Sequence, residues 1–147
     1  FEVDLTGDFD VVCYFDGFGI GSDDDQRRLL RRIARWLGEG GCAIVDVYAP
    51  WRAMRERGEK YEEGTAIERV DFDAEGSRFL GRIWPVGDES QAVTQSLRCY
   101  SPADLRLLLE STGLALGNYE PYEDESHETN VPLEQALLYL TKLVPEH

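Results

Sequence analysis

The order of the apolar runs constrains this chain more than any other feature. Residues 9–15, Phe9-Asp10-Val11-Val12-Cys13-Tyr14-Phe15, are nearly continuous in apolar and aromatic side chains and lie between Gly7-Asp8 and Gly17. A run of that kind is the pattern of a strand buried on both faces. Asp16-Gly17-Phe18-Gly19-Ile20-Gly21 then reads as a flexible turn, and Ser22 with Asp25 three residues on suits a helix N-cap with an acid in the first turn. Leu29, Leu30, Ile33, Ala34 and Leu37 follow at helical spacing, and Gly38 through Gly41 end the segment. Residues 42–48, Cys42-Ala43-Ile44-Val45-Asp46-Val47-Tyr48, form a second short β-branched run. Buried strand, helix, buried strand is a parallel crossover unit, because parallel neighbours need a long connection across one face of the sheet.

From Pro50 to Ser101 the texture changes. Residues 67–72, 77–84 and 92–100 mix polar and apolar side chains and are split by Asp73-Ala74-Glu75-Gly76 and Pro85-Val86-Gly87-Asp88, which predicts an antiparallel sheet of two or three strands. Ser101-Pro102-Ala103-Asp104 then sets an N-cap serine, a proline at the first helical position and an acid at the third, with Leu105, Leu108 and Leu109 on one face. After Gly113, residues 114–119 read as a strand and 120–130 as an acidic loop. Residues 135–144 favour a last strand over a helix, because Tyr139 and Thr141 outweigh the helical spacing of Leu133, Leu137 and Leu140.

The 147 residues suffice for one core, and no apolar run approaches the ~20 residues of a membrane span. Twenty-nine acidic residues against 15 Lys and Arg give a net charge of -14, which repels polyphosphate and argues against a nucleic-acid substrate. Arg27, Arg28, Arg31, Arg32 and Arg35 are the one basic cluster, read as the solvated face of the helix. Cys13, Cys42 and Cys99 are odd in number and lie singly in apolar runs, as buried reduced thiols of a cytoplasmic protein do. His127 and His147 have no partners at metal-ligand spacing.

In sequence and spacing, Gly7-Asp8-Phe9-Asp10-Val11-Val12, the helix with Leu29-Leu30 and Trp36-Leu37, and Gly40-Gly41-Cys42-Ala43-Ile44-Val45-Asp46-Val47 resemble the fourth strand, following helix and fifth strand of class I S-adenosylmethionine-dependent methyltransferases. Tyr100-Ser101-Pro102-Ala103-Asp104-Leu105, Leu108-Leu109 and Thr112-Gly113-Leu114 resemble that family's late helix and the start of its sixth strand. The resemblance implies an α/β fold: half of a Rossmann-like sheet ending in an antiparallel pair, with a small antiparallel insertion at about 52–100. It also implies that the family's glycine-rich cofactor loop lies outside this sequence. Residues 1–147 are therefore expected to be the carboxy-terminal half of such a domain. Their expected partner is an amino-terminal fragment or subunit, cut from the same polypeptide, separately encoded or omitted. The opening at Phe1, with Met54 the only methionine, agrees with that expectation.

The cofactor implied is S-adenosylmethionine. By the same resemblance, Asp4 and Leu5 are adenine-site candidates. Ligands of parallel sheets sit at the carboxyl ends of the strands, which here selects Tyr14, Phe15, Asp16, Gly17 and Phe18 after one strand and Tyr48, Pro50 and Trp51 after the other. Tyr14, Phe15, Asp16 and Gly17 are assigned to the cofactor and Phe18, Trp51, Trp84 and Tyr100 to a small-molecule substrate, the last two as a lid. Core packing is the competing role for Phe15, Phe18, Trp51, Trp84 and Tyr100. Asp16, Tyr48 and His127 are the candidates for taking a proton. The expected function is methyl transfer to a small molecule. The alternatives are a non-catalytic scaffolding or regulatory subunit of the same fold, a same-fold enzyme that rearranges, cyclises or decarboxylates its substrate, and an unrelated α/β domain.

Overall fold

A computed structural model describes residues 5–121 and 135–143. Strand β1 (Phe9–Tyr14) leads through helix α1 (Asp23–Trp36) into β2 (Leu37–Tyr48), and β1 and β2 are parallel. Helix α2 (Pro50–Arg55) opens an insertion of four strands, β3 (Lys60–Glu63), β4 (Ala66–Asp73), β5 (Arg78–Pro85) and β6 (Val93–Arg98), all antiparallel and in sequence order. Helix α3 (Pro102–Leu109) returns the chain to the first sheet, which β7 (Leu114–Pro121) and β8 (Gln135–Lys142) complete in the order β1-β2-β8-β7. Both β8 contacts are antiparallel. None of the helices among the described residues is long and apolar enough to cross a membrane.

Both expected helix starts carry full capping boxes. Ser22 Oγ accepts from the Asp25 amide while the Asp25 carboxylate accepts from the Ser22 amide at 2.8 Å, and Ser101 and Asp104 repeat the arrangement. Each box satisfies amides that the first helical turn leaves without partners. Leu29, Leu30, Ile33 and Ala34 of α1 and Leu105, Leu108 and Leu109 of α3 pack with Ala43, Val45, Val47, Leu138 and Leu140 in one core. Both helices thus lie on the same face of the first sheet.

Four expectations are corrected. β2 does not begin at Cys42 but at Leu37, taking in Gly38 to Gly41, and a bulge lies between the Phe9–Leu37 and Val11–Cys42 pairings. Gly41 is needed there, because a Cβ would sit 2.8 Å from the Phe9 carbonyl oxygen. The insertion has four strands rather than two or three, β3 being a fully exposed edge, and it is preceded by α2. Of the three cysteines only Cys99 is buried, Cys13 being exposed and Cys42 half-buried.

The fourth correction concerns β1, which is covered on one face only. Val12 and Tyr14 pack against the core, whereas Phe9, Val11, Cys13 and, just beyond, Phe15 are exposed, Val11 by 50% and Phe15 by 52%. The pattern continues across the sheet: Ala43, Val45, Val47, Leu138 and Leu140 are buried, but Cys42, Ile44, Asp46, Leu137 and Tyr139 on the opposite face are only half-buried. Among the described residues that second face carries no helix and the outer edge of β1 pairs with no strand.

Candidate functional site

The carboxyl ends of β1 and β2 lie side by side as one mouth, and the insertion is bonded to the chain leaving each of them. The turn after β1 is not loose. Gly19 donates to Gln26 Oε1 at 3.2 Å, the Gln26 amide nitrogen donates to Ile20 O, and the Arg98 amide of β6 donates to Gly19 O at 2.9 Å. Arg78 of β5 adds a bond to Gly21 O at 3.0 Å. Gly19 has φ +103°, and a Cβ on it would lie 2.5 Å from Arg98 O, so the seam between turn and insertion admits only glycine. On the other side Tyr100 donates its amide to Tyr48 O at 3.0 Å, and the Tyr48 ring lies 5.5 Å from that of Phe79.

Asp16 lies two residues beyond the end of β1. It is exposed, with φ +59°, and its amide donates to both oxygens of Asp46 at 3.0 and 3.2 Å. Asp46 was not singled out from the sequence, where it reads as one polar residue inside a strand. Partial burial holds its carboxyl above the ordinary aspartate range despite the Asp16 amide, and the Asp16 charge pushes the same way. Burial raises the Tyr14 phenol as well, with Asp46 adding to it. Tyr14 and Gly17 are in contact: a Cβ on Gly17 would meet the Tyr14 hydroxyl at 2.7 Å.

The other candidates separate into surface and core. Phe15, just after β1, is 52% exposed and Trp51, in α2 after β2, is 36% exposed, and Leu5 is exposed on the segment before β1. Phe18 and Tyr100 are fully buried, with ring centroids 5.5 Å apart. The Tyr100 hydroxyl donates to Asp23 Oδ1 at 2.8 Å, and burial followed by Asp23 drives its pKa far up. Trp84 is buried in the insertion under Lys60 and Arg82. It sits near the Ile83–Val93 end of the β5–β6 ladder, whereas Tyr100 follows the Arg78–Arg98 end, so the two do not converge as a lid. Tyr48 is half-buried beneath Arg52. Asp4 and His127 lie outside the described residues.

On the far side of the sheet, the end of β7 lies at the same pole as the mouth, since β7 and β2 both run antiparallel to β8. Tyr119 there has a hydroxyl that is buried without a hydrogen-bond partner among the described residues, and burial pushes its pKa up to about 12.

No protein-family model matches this sequence, nor does any curated protein at a significant level. Solved structures do match. The chain superposes on an S-adenosylmethionine-dependent methyltransferase from Clostridium acetobutylicum ATCC 824 with a TM-score of 0.68 at 17% identity, covering 98% of this chain and 62% of that one. The CcbJ methyltransferase from Streptomyces caelestis gives 0.69 at 20% identity, with 95% and 64% covered. This chain has the class I methyltransferase fold. CalS10, an amino pentose methyltransferase from Micromonospora echinaspora, gives 0.59 at 16% identity and 95% coverage of this chain. The chain spans less than two thirds of the length of each of these methyltransferases, 61% for CalS10.

Proposed function

We propose that this chain supports S-adenosylmethionine-dependent methyl transfer to a small molecule, acting as one wing of a sheet whose other wing pairs with β1. The observation that carries this reading is the combination of strand order β1-β2-β8-β7 with, among the described residues, a β1 outer edge that pairs with no strand and a second face that carries no helix. An exposed edge presents a row of unsatisfied amides and carbonyls, and exposed Phe9, Val11 and Phe15 extend it as an apolar patch. Further strands and helices, from the same polypeptide or a separate subunit, satisfy both. Those elements would bring the glycine-rich loop that the sequence of this wing does not supply.

The cofactor provides a sulfonium-activated methyl group whose leaving group is neutral, so the protein's task is to align the nucleophile and exclude water. Around the mouth, Asp16 presents a carboxylate suited to an ammonium group, and Tyr14, Phe15 and Gly17 shape the adjoining wall. Asp4 and Leu5 are proposed for the adenine edge. The insertion is fixed beside the mouth through its bonds to Gly19, Gly21 and Tyr48. Trp51 is placed to touch substrate, and Asp16, Tyr48 and His127 are the proposed proton acceptors. Phe18, Trp84 and Tyr100 act on the substrate only through packing, as their burial supports.

Incubation of the natural full-length protein with S-adenosylmethionine and a panel of small amines, phenols and alcohols tests the reading. Appearance of S-adenosylhomocysteine with a methylated acceptor is the expected result, reduced at least about tenfold by Asp16→Ala. Cofactor binding without turnover on any acceptor would favour the scaffolding role, and absence of cofactor binding would overturn the proposal.

A further inference from the structure

We propose that the groove between α1 and the carboxyl end of β8 binds a small multivalent anion of the phosphate class, at a site separate from the mouth. The arginine face of α1 is not simply convex and solvated. With Thr112, Gly113, Lys142 and Leu143 it forms an open groove of about 750 Å³ lined by Arg28, Arg31, Arg32 and Arg35. Five of the chain's 15 basic residues thus converge, and no acidic residue among the described ones lines the groove. That concentration occurs in a chain whose net charge is -14.

The groove lies at the pole opposite the mouth, because α1 starts after the turn that leaves β1 and ends where β2 begins. Its cations are held in place. Arg31 Nε donates to Ser111 O at 3.4 Å, Arg32 lies 5.7 Å over the Trp36 ring, Arg28 pairs with Asp25, and Lys142 Nζ donates to Leu37 O. The carbonyls at the end of α1 oppose an anion there, and the Lys142 ammonium on Leu37 O offsets them. Arg28 to Arg35 spans seven residues, about 10 Å along the helix, which matches a short phosphate chain rather than a long polymer. A large acidic partner would meet the repulsion of the remaining acidic surface, while charge beyond about 8 Å is screened for a small anion inside the groove. Guanidinium groups suit phosphate oxygens because they offer paired donors in a plane.

Calorimetric titration of inorganic tripolyphosphate, and separately ATP, into the natural full-length protein at about 150 mM salt tests this. One saturable site is expected, weakened at least about tenfold, or about 1.4 kcal/mol, by Arg31→Gln with Arg35→Gln. A control pair with the same charge change, Arg57→Gln with Arg82→Gln on the insertion, should change affinity less than about twofold. Tighter binding of ATP identifies a nucleotide as the source of the phosphates, and equal binding identifies the phosphate chain alone. Thermal midpoints without ligand check that the variants fold, and the single Arg35→Gln variant keeps the test open if the pair does not. Absence of a saturable site, equal weakening in the control pair, or tighter binding of hexaglutamate than of tripolyphosphate overturns the proposal.

Discussion

The amide of Asp16 donates to both carboxylate oxygens of Asp46, at 3.0 and 3.2 Å, and so ties the turn leaving β1 to the neighbouring strand β2. Asp16 keeps a left-handed backbone, φ +59°, that a non-glycine residue adopts at a cost of about 1–3 kcal/mol, and this bond helps to hold it. The mouth of the site is therefore set by a contact between two strand ends.

Asp46→Asn keeps one acceptor for the Asp16 amide and removes a partly buried charge. The folded-state pKa of Asp46 is raised, so the native state holds its proton longer than the unfolded chain does. Its ionisation therefore lowers stability as pH rises from about 3.8 through the raised value, and the penalty is complete above it. Urea midpoints across pH 4–7 should fall with pH less steeply in Asp46→Asn than in the parent. Asp46→Ala should be less stable than Asp46→Asn by about 1 kcal/mol, through loss of the bond to Asp16.

Gly19→Ala should destabilise the protein by about 1–3 kcal/mol, because alanine meets both the positive φ and the Arg98 carbonyl. Hydrogen exchange should locate the loss at the seam, with the Arg98 amide exchanging faster than the interior of β2.

Ser22→Ala and Ser101→Ala should each cost about 1 kcal/mol in the thermal or urea midpoint, the usual cost of losing an N-cap oxygen. Tyr100→Phe should cost a similar amount through the lost bond to Asp23 and leave cofactor affinity unchanged, as expected of a packing residue.

Tyr119→Phe removes a buried hydroxyl that has no partner among the described residues. Stability should be unchanged or rise by up to about 1 kcal/mol, read from the denaturation midpoint.

The elements most legible in the sequence were those with a local cause. The capping boxes at Ser22 and Ser101 place both helix starts, and the apolar run at 42–48 places most of β2. Tyr139 and Thr141 correctly favour a strand for β8. What escaped depends on contacts far along the chain. Gly38 to Gly41 read only as the end of a helical segment until β1 is laid beside them, where Gly41 proves to be a close approach to Phe9. β3, Lys-Tyr-Glu-Glu, is an exposed edge with no alternation to read. α2 has a proline at its first turn but no side-chain cap, so its start carries a weak signal. In the site, proximity to a strand end selects Asp16, which lies exposed just after β1, but it could not separate Phe15, at the surface, from Phe18, in the core. Asp46 went unseen because its importance lies in the turn it holds, which comes from the other strand.

The central claim is that β1 is an inner strand of a larger sheet that holds the cofactor. Its most direct test is calorimetric titration of S-adenosylhomocysteine into residues 1–147 alone and into the natural full-length protein. The account predicts micromolar binding by the full-length protein and no binding tighter than about 1 mM by residues 1–147, a difference of about 4 kcal/mol. Micromolar binding by residues 1–147 as a cooperatively folded monomer would contradict it.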